Sequence, residues 1–334
     1  MHMADALLSP AVGAAMYAVS ATGVAYSVKK IKKDDLCEKK IPIMGVMGAF
    51  VFAAQMINFT IPATGSSGHI GGGILLAAMI GGFPALLSIS AVLVIQSLFF
   101  ADGGLLALGC NIFNLGVIPC LLVYPLIYKP LVKKDVTLAR ITIASIAAVV
   151  VGLQLGAFGV VLQTLFSGVT ELPFGTFLLL MQPIHLAIGI IEGIITAAVL
   201  CFVYKMRPEI MESALNETAV KSGVPTRNVL VTLAVITILV GGFLSVFAST
   251  YPDGLEWAIA KTAGTTELEA EGSVMSTAFM PDYDYKNAGE DGSKTGTTVA
   301  GIIGSALTFF LAGAVAFAIF AVKKKQRNSA AASV

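Results

Sequence analysis

Charge is scarce in this chain. Asp, Glu, Lys and Arg make up 12% of its 334 residues, against roughly 25% in an average soluble domain. No Lys or Arg precedes Lys29, so the start lacks the basic region of a secretory signal. The four cysteines (Cys37, Cys110, Cys120, Cys201) have no CxxC spacing. Three of them lie in or beside apolar stretches, where Cys serves as a small packing residue. No stretch has the G-x-x-x-x-G-K-[ST] spacing of a phosphate loop, and there is no HExxH or GxSxG. ATP hydrolysis and intramembrane hydrolysis are therefore not expected of this chain. With a net charge of +1 and its cations in loops, it is not expected to bind nucleic acid.

What is present is apolar surface, at 56% of residues. Runs of spanning length recur at 11–28, 41–60, 70–100, 105–128, 137–166, 176–204, 229–249 and 298–321. In a bilayer such runs become helices, because only a helix satisfies its backbone internally. The third run exceeds one span and contains Gly81-Gly82-Phe83-Pro84, a breaking signal. Splitting it there predicts nine spans. With the N-terminus outside, all of the 21 basic residues except Lys261, Lys286 and Lys294 then fall in cytoplasmic loops or the C-terminal tail. The expected protein is an all-α polytopic membrane protein in three parts. Residues 1–204 form a seven-span module, 205–228 a cytoplasmic linker, and 229–334 a two-span hairpin around an outer loop.

Histidine is rare: only His2, His69 and His185. A His in second place is a chelator. The Met1 amine, the His2 amide nitrogen and the His2 imidazole can hold one metal in adjacent rings, provided the amide is deprotonated. One more imidazole completes a square of nitrogens, which suits Ni2+ or Cu2+, with Co2+ a lesser occupant. Mg2+ and Ca2+ prefer oxygen. The bulk of His2 should spare the initiator Met from trimming. His69, in TGSSGHIGGG, faces the same side as His2 by the charge count. The alternative is a surface His2 and a helix-end His69 with no shared role.

Four motifs in order, MHMADALLSP, GSSGHIGGG, Gln96–Ile118 (QSLFFADGGLLALGCNIFNLGVI) and His185–Thr196 (HLAIGIIEGIIT), resemble the CbiM/NikM proteins. These are substrate-binding S-components of energy-coupling-factor (ECF) transporters for cobalt and nickel. YPDGLEWA (Tyr251–Ala258) and FMPDYDY (Phe279–Tyr285) resemble the CbiN/NikN accessory component, with Pro252, Asp253, Gly254, Leu255 and Glu256 as its PDGLE signature. The resemblance implies a fused transport subunit in a prokaryotic inner membrane, N-terminus outside and C-terminus cytoplasmic. It implies metal ligation by Met1, His2 and His69, and import of Ni2+, or of Co2+ for cobalamin synthesis. The implied partners are a CbiQ/NikQ-like T-component and CbiO/NikO-like ATPase subunits, with no organic cofactor. One departure stands out. The commoner family opening is Met-His-Ile-Pro-Asp-Gly, and here Met3, Ala4 and Ala6 replace three of those residues while Asp5 remains.

Other polar residues in apolar surroundings are candidates for positioning roles. Gln96, Asp102, Asn111 and Asn114 are expected either to orient His69 and the inserted N-terminus or to hydrogen-bond helices to one another. Asp5 can hold the His2 ring or cap a helix. His185 and Glu192, seven apart on one helical face, can pair, relay protons or arrest a metal transiently. A proton relay there would fit a different reading, a stand-alone proton-coupled carrier. The small residues Gly45, Ala49 and Ala53, and Ala11, Ala14, Ala15 and Ala18, make faces for close helix contact, within the chain or with a partner. Asp253, Glu256, Asp282 and Asp284 can gather cations in the outer loop, and Tyr251, Trp257 and Tyr283 can be interfacial aromatics.

Overall fold

The computed structural model describes residues 1–31, 40–220, 226–264, 278–286 and 293–332, with side chains to Gln326. Cys37, Lys32, Lys33, Lys39, Lys221 and the side chain of Arg327 lie outside the described residues. The chain is helical almost throughout, in keeping with the expected all-α membrane class. Its only described sheet is a two-stranded ribbon, β1 (Phe59–Ile61) and β2 (Ser66–Gly68).

Among the described residues six helices are long and apolar enough to cross a membrane: α1 (Pro10–Lys30), α4 (Gly82–Phe100), α5 (Leu108–Lys133), α6 (Leu138–Ser167), α7 (Phe174–Met206) and α11 (Lys294–Gln326 within Lys294–Ala332). Two more apolar helices are shorter, α2 (Lys40–Gln55) and α9 (Arg227–Gly242). The ninth expected span departs from a full crossing. There α3 (Gly73–Ile80) has 8 residues, all buried, and at 1.5 Å per residue it covers only about 12 Å. It is a half-helix. Gly72 (φ +77°) opens it and Gly81 (φ +89°) closes it, the latter inside the predicted break. A Cβ at Gly72 would also meet Val51 at 2.5 Å, so both conformation and packing demand glycine there.

Helices α6 and α7 pack along their length, and α5, wound wide around Pro119 and Pro125, lies against α6 and α3. The polar stretch after α7 is not extended throughout: α8 (Pro208–Asn216) buries Ile210, Met211, Ala214 and Leu215 and packs beneath α3. The hairpin α9–α11 packs on α2. A Cβ at Gly45 would lie 3.0 Å from the Phe309 carbonyl oxygen, and one at Gly241 would lie 3.2 Å from Ala53. The small face of α2 is thus occupied by the chain's own hairpin. The small residues of α1 (Ala11, Ala14, Ala15, Ala18) are exposed. One end of the bundle gathers residues 1–9, the ribbon, the α4–α5 loop and the hairpin's loop with α10 (Gly254–Ala263).

Candidate metal centre

The first nine residues enter the protein and do not hang from it. Met1, Met3, Leu7 and Leu8 are buried, Met3 completely. Four contacts hold the segment. The Met3 N–H donates to Asn111 Oδ1 (2.8 Å), and Asn111 Nδ2–H donates back to the Met3 carbonyl (3.2 Å). Gly104 N–H donates to the same carbonyl (3.1 Å). Asp5 Oδ1 accepts from Ala107 N–H at the entry to α5 (2.9 Å). Asp5 therefore neither touches the His2 ring nor caps α1, which Ser9 caps through Val12 N–H. It ties the segment to the backbone just before α5.

His69 arrives from the other side. The ribbon returns the chain at Gly68, where a Cβ would strike Ile188 at 2.6 Å, and His69 follows in the extended stretch before α3. Its Nδ1–H donates to the Ile70 carbonyl (3.0 Å), which leaves Nε2 with its lone pair. That nitrogen lies 2.8 Å from the Met1 amine. Burial, then the neighbouring Met1 amine and His2 ring, pull the His69 pKa down to about 3 from the usual 6.5. The ring is thus neutral and open to a metal at any ordinary pH.

The structure therefore brings together two members of the expected ligand set, the Met1 amine and His69. His2 is adjacent: its ring stacks on that of His69, centroids 5.0 Å apart and planes 4° apart. Its Nδ1, however, faces Asp102 Oδ1 at 3.1 Å. Chelation through the amine and the amide would need Nδ1, which in this structure faces Asp102 instead. Asp102 thus holds the His2 ring by the nitrogen that chelation would need. Burial raises the Asp102 carboxyl, but His2 and a hydrogen bond from the Tyr283 hydroxyl outweigh it, so the group stays ionised far below the usual range. Among the described residues no three His, Cys, Asp or Glu side chains converge as a metal site.

The other expected positioning residues act at different removes. Gln96 donates to Gln55 Oε1 (2.9 Å), and Gln55 donates to the Gly71 carbonyl (2.9 Å), so Gln96 steadies the loop after His69 through an intermediary. Asn114 exchanges hydrogen bonds with Gln163 (2.8 and 3.2 Å) and packs on the Met3 sulfur. His185 and Glu192 do not pair. His185 Nδ1 bonds the Met181 carbonyl (2.8 Å), and Glu192 Oε1 accepts from Gly72 N–H (3.0 Å) at the start of α3.

Sequence reasoning missed the part played by the hairpin's loop. Asp253 Oδ2 forms an ion pair with the Met1 amine at 2.8 Å, while Oδ1 caps α10 through Leu255 and Glu256 N–H (2.8 and 2.9 Å). Glu256 completes the cap by accepting from Asp253 N–H (3.0 Å); Asp253 beside it, then burial, push its pKa up to about 7. Ser67 N–H donates to the Pro252 carbonyl (2.8 Å), and Trp257 Nε1–H to the Thr64 carbonyl (2.9 Å), so PDGLE docks on the ribbon. The second motif packs on the end of α4 and on Asp102. Met280 N–H bonds the Phe99 carbonyl (2.9 Å), Tyr283 stacks on Phe100 (4.9 Å) and its hydroxyl donates to Asp102. The PDGLE motif itself was legible; its pairing with residue 1, across 252 positions, was not.

Asp253→Asn isolates this contact, because Asn keeps the capping oxygen and loses the charge. We expect amides 254–258 to exchange at least about tenfold faster (~1.4 kcal/mol), with the exchange of α6 and α7 unchanged, measured by hydrogen–deuterium exchange mass spectrometry.

The fold is a bundle of membrane-length helices with a buried cluster of amine and imidazole nitrogen at one end. Residues 2–210 match the family described as the cobalt uptake substrate-specific transmembrane region, CbiM, and residues 227–321 match the PDGLE domain. The chain belongs to the CbiM family and carries a PDGLE domain behind it. It is 28% identical over 320 residues, 93% of this chain and 96% of the other, to a putative fused nickel transport protein of Archaeoglobus fulgidus. It is 27% identical to a cobalt transport protein of Geobacter sulfurreducens, over 72% of this chain and 70% of that one. A crystal structure of a truncated transition metal transporter superposes with a TM-score of 0.54 at 28% identity, covering 62% of this chain and 99% of that one.

Proposed function

We propose that this chain captures Ni2+ or Co2+ at the outer face of a prokaryotic inner membrane and is the substrate-specific subunit of an ECF-type importer. Residues 1–204 bind the ion and 229–334 form the accessory domain, with the N-terminus outside and the C-terminus cytoplasmic. The ligands are the Met1 amine, the His2 amide and imidazole, and His69 Nε2. One observation carries the reading: a buried terminal amine and a neutral imidazole nitrogen stand 2.8 Å apart, the spacing of neighbouring corners in a square of metal-bound nitrogens. Planar nitrogen favours nickel over cobalt, and the nickel transport relative that spans the same two parts agrees with that order. Energy comes from ATPase subunits through a T-component. The exposed small residues of α1 offer that partner a face for close helix contact.

The test is direct titration of the purified full chain with Ni2+ and Co2+, and uptake of radioactive metal by cells making it with the matching partner subunits. His69→Ala should weaken binding at least about a hundredfold and abolish uptake. Retention of wild-type affinity would remove His69 from the site. Uptake by cells lacking the ATPase partners, driven by a proton gradient, would replace the ECF reading with a stand-alone carrier.

A further inference from the structure

The end of α3 away from His69 borders a cavity of about 80 Å3, where one water needs roughly 10–15 Å3. Phe83 and Leu121 belong to its apolar wall, and its polar lining includes Lys40, Tyr124, Lys129 and Glu217. The first turn of α4 opens on it. No side chain caps that turn, and Pro84 has no N–H, so the Gly82 and Phe83 N–H groups stand at the positive end of the helix. Tyr124 is 4% exposed. Its hydroxyl is buried, has no hydrogen-bond partner among the described residues and lies within electrostatic reach of Glu217 in the same lining. A buried hydroxyl without a partner is costly. The ring stands against the helix start, since a Cβ at Gly82 would lie 3.4 Å from Tyr124 Cδ1. Lys129 Nζ pairs with Glu217 at 2.6 Å, and that carboxylate is nearly half exposed, so it can turn out into water. Two amines against one carboxylate leave the lining positive. The apolar wall runs on outward. Phe83 meets Tyr26 edge to face (5.9 Å), with Lys30 over the Tyr26 ring (5.4 Å), and Leu122 and Leu126 of α5 are exposed beside Leu121.

We propose that this cavity binds the phosphate head group of an anionic membrane lipid. The Tyr124 hydroxyl and the N–H groups that open α4 donate to phosphate oxygens, and Lys129 exchanges Glu217 for the phosphate. The acyl chains lie along the exposed leucines of α5. A free phosphate would offer the same oxygens; the apolar wall and its outward continuation favour the lipid. In the topology proposed above this end lies in the inner leaflet, whose anionic lipids attract basic groups next to the membrane. The site is independent of the metal ligands, which gather at the opposite end of α3.

The test adds phosphatidylglycerol, phosphatidylcholine or inorganic phosphate to the full chain in neutral detergent. Native mass spectrometry reads bound lipid, and thermal unfolding reads protection. Phosphatidylglycerol should bind at least about fivefold more tightly than phosphatidylcholine and raise Tm. Tyr124→Phe keeps the ring and removes only the hydroxyl. Without lipid it should be as stable as the wild type or more so, because no hydrogen bond is lost, yet its affinity for phosphatidylglycerol should fall about tenfold. Glu217→Gln removes the competing carboxylate and should bind that lipid about two- to fivefold more tightly, a gain that misfolding cannot produce. Equal affinity for the two lipids, or wild-type affinity in both variants, would overturn the inference. Protection by inorganic phosphate equal to that by phosphatidylglycerol would overturn the lipid assignment in favour of a soluble phosphate.

Discussion

Adding residues before Met1 should abolish tight metal binding while leaving every side chain in place. The amine is buried with the Met1 side chain and touches His69 Nε2 and Asp253 Oδ2, each at 2.8 Å. An extension converts it to an amide nitrogen, which donates to a metal only if it too gives up its proton, and forces chain through the space where Asp253 meets the amine. Chelation by amine, amide and imidazole collapses when its first atom is lost. A weakening of at least about a thousandfold is expected, ~4 kcal/mol, by calorimetric titration of Ni2+. Co-translational cleavage back to Met1 should restore it. An extended protein that binds normally would show that the ion rests elsewhere.

Asn111→Leu should weaken binding by a different route. Leu matches Asn in size but ends both hydrogen bonds to Met3, leaving a buried N–H without a partner and a carbonyl that keeps only Gly104. Each lost buried bond costs roughly 1–3 kcal/mol, so the docked state of residues 1–9 should lose about 2–4 kcal/mol. Apparent affinity falls with the docked fraction, by up to about 30- to 1000-fold. No ligand has been removed, however. At saturating metal the variant should bind one ion with the wild-type nickel spectrum, whereas the extended chain should not. A changed spectrum at saturation would mean that Asn111 shapes the coordination sphere itself.

Much of this molecule could be read from its residue order because membranes simplify the problem. Without water to satisfy the backbone, a run of apolar residues has few options besides a helix, so the spans and the break at Gly81 follow from composition and one turn signal. Local chemistry was equally legible: His in second place is a chelating pattern wherever it occurs, and PDGLE reads as an Asp cap with Glu three residues on, which is the capping box at α10. The half-helix α3 was harder, since hydropathy reports burial in lipid and burial in protein alike. Its 8 residues are enclosed by other helices, where length need not match the bilayer.

The amino-acid sequence by itself determined the class, most of the apolar helices and the break before α4, because each depends on properties carried within a short stretch. Tertiary structure alone decided that Asp253 meets the amine of residue 1, that Asp102 and not Asp5 takes the His2 ring, and that His185 faces the same cavity as His69. Those are contacts between segments separated by many residues. Their existence depends on how α4, α7 and the hairpin pack, and packing is a collective result of the whole core that no local pattern encodes.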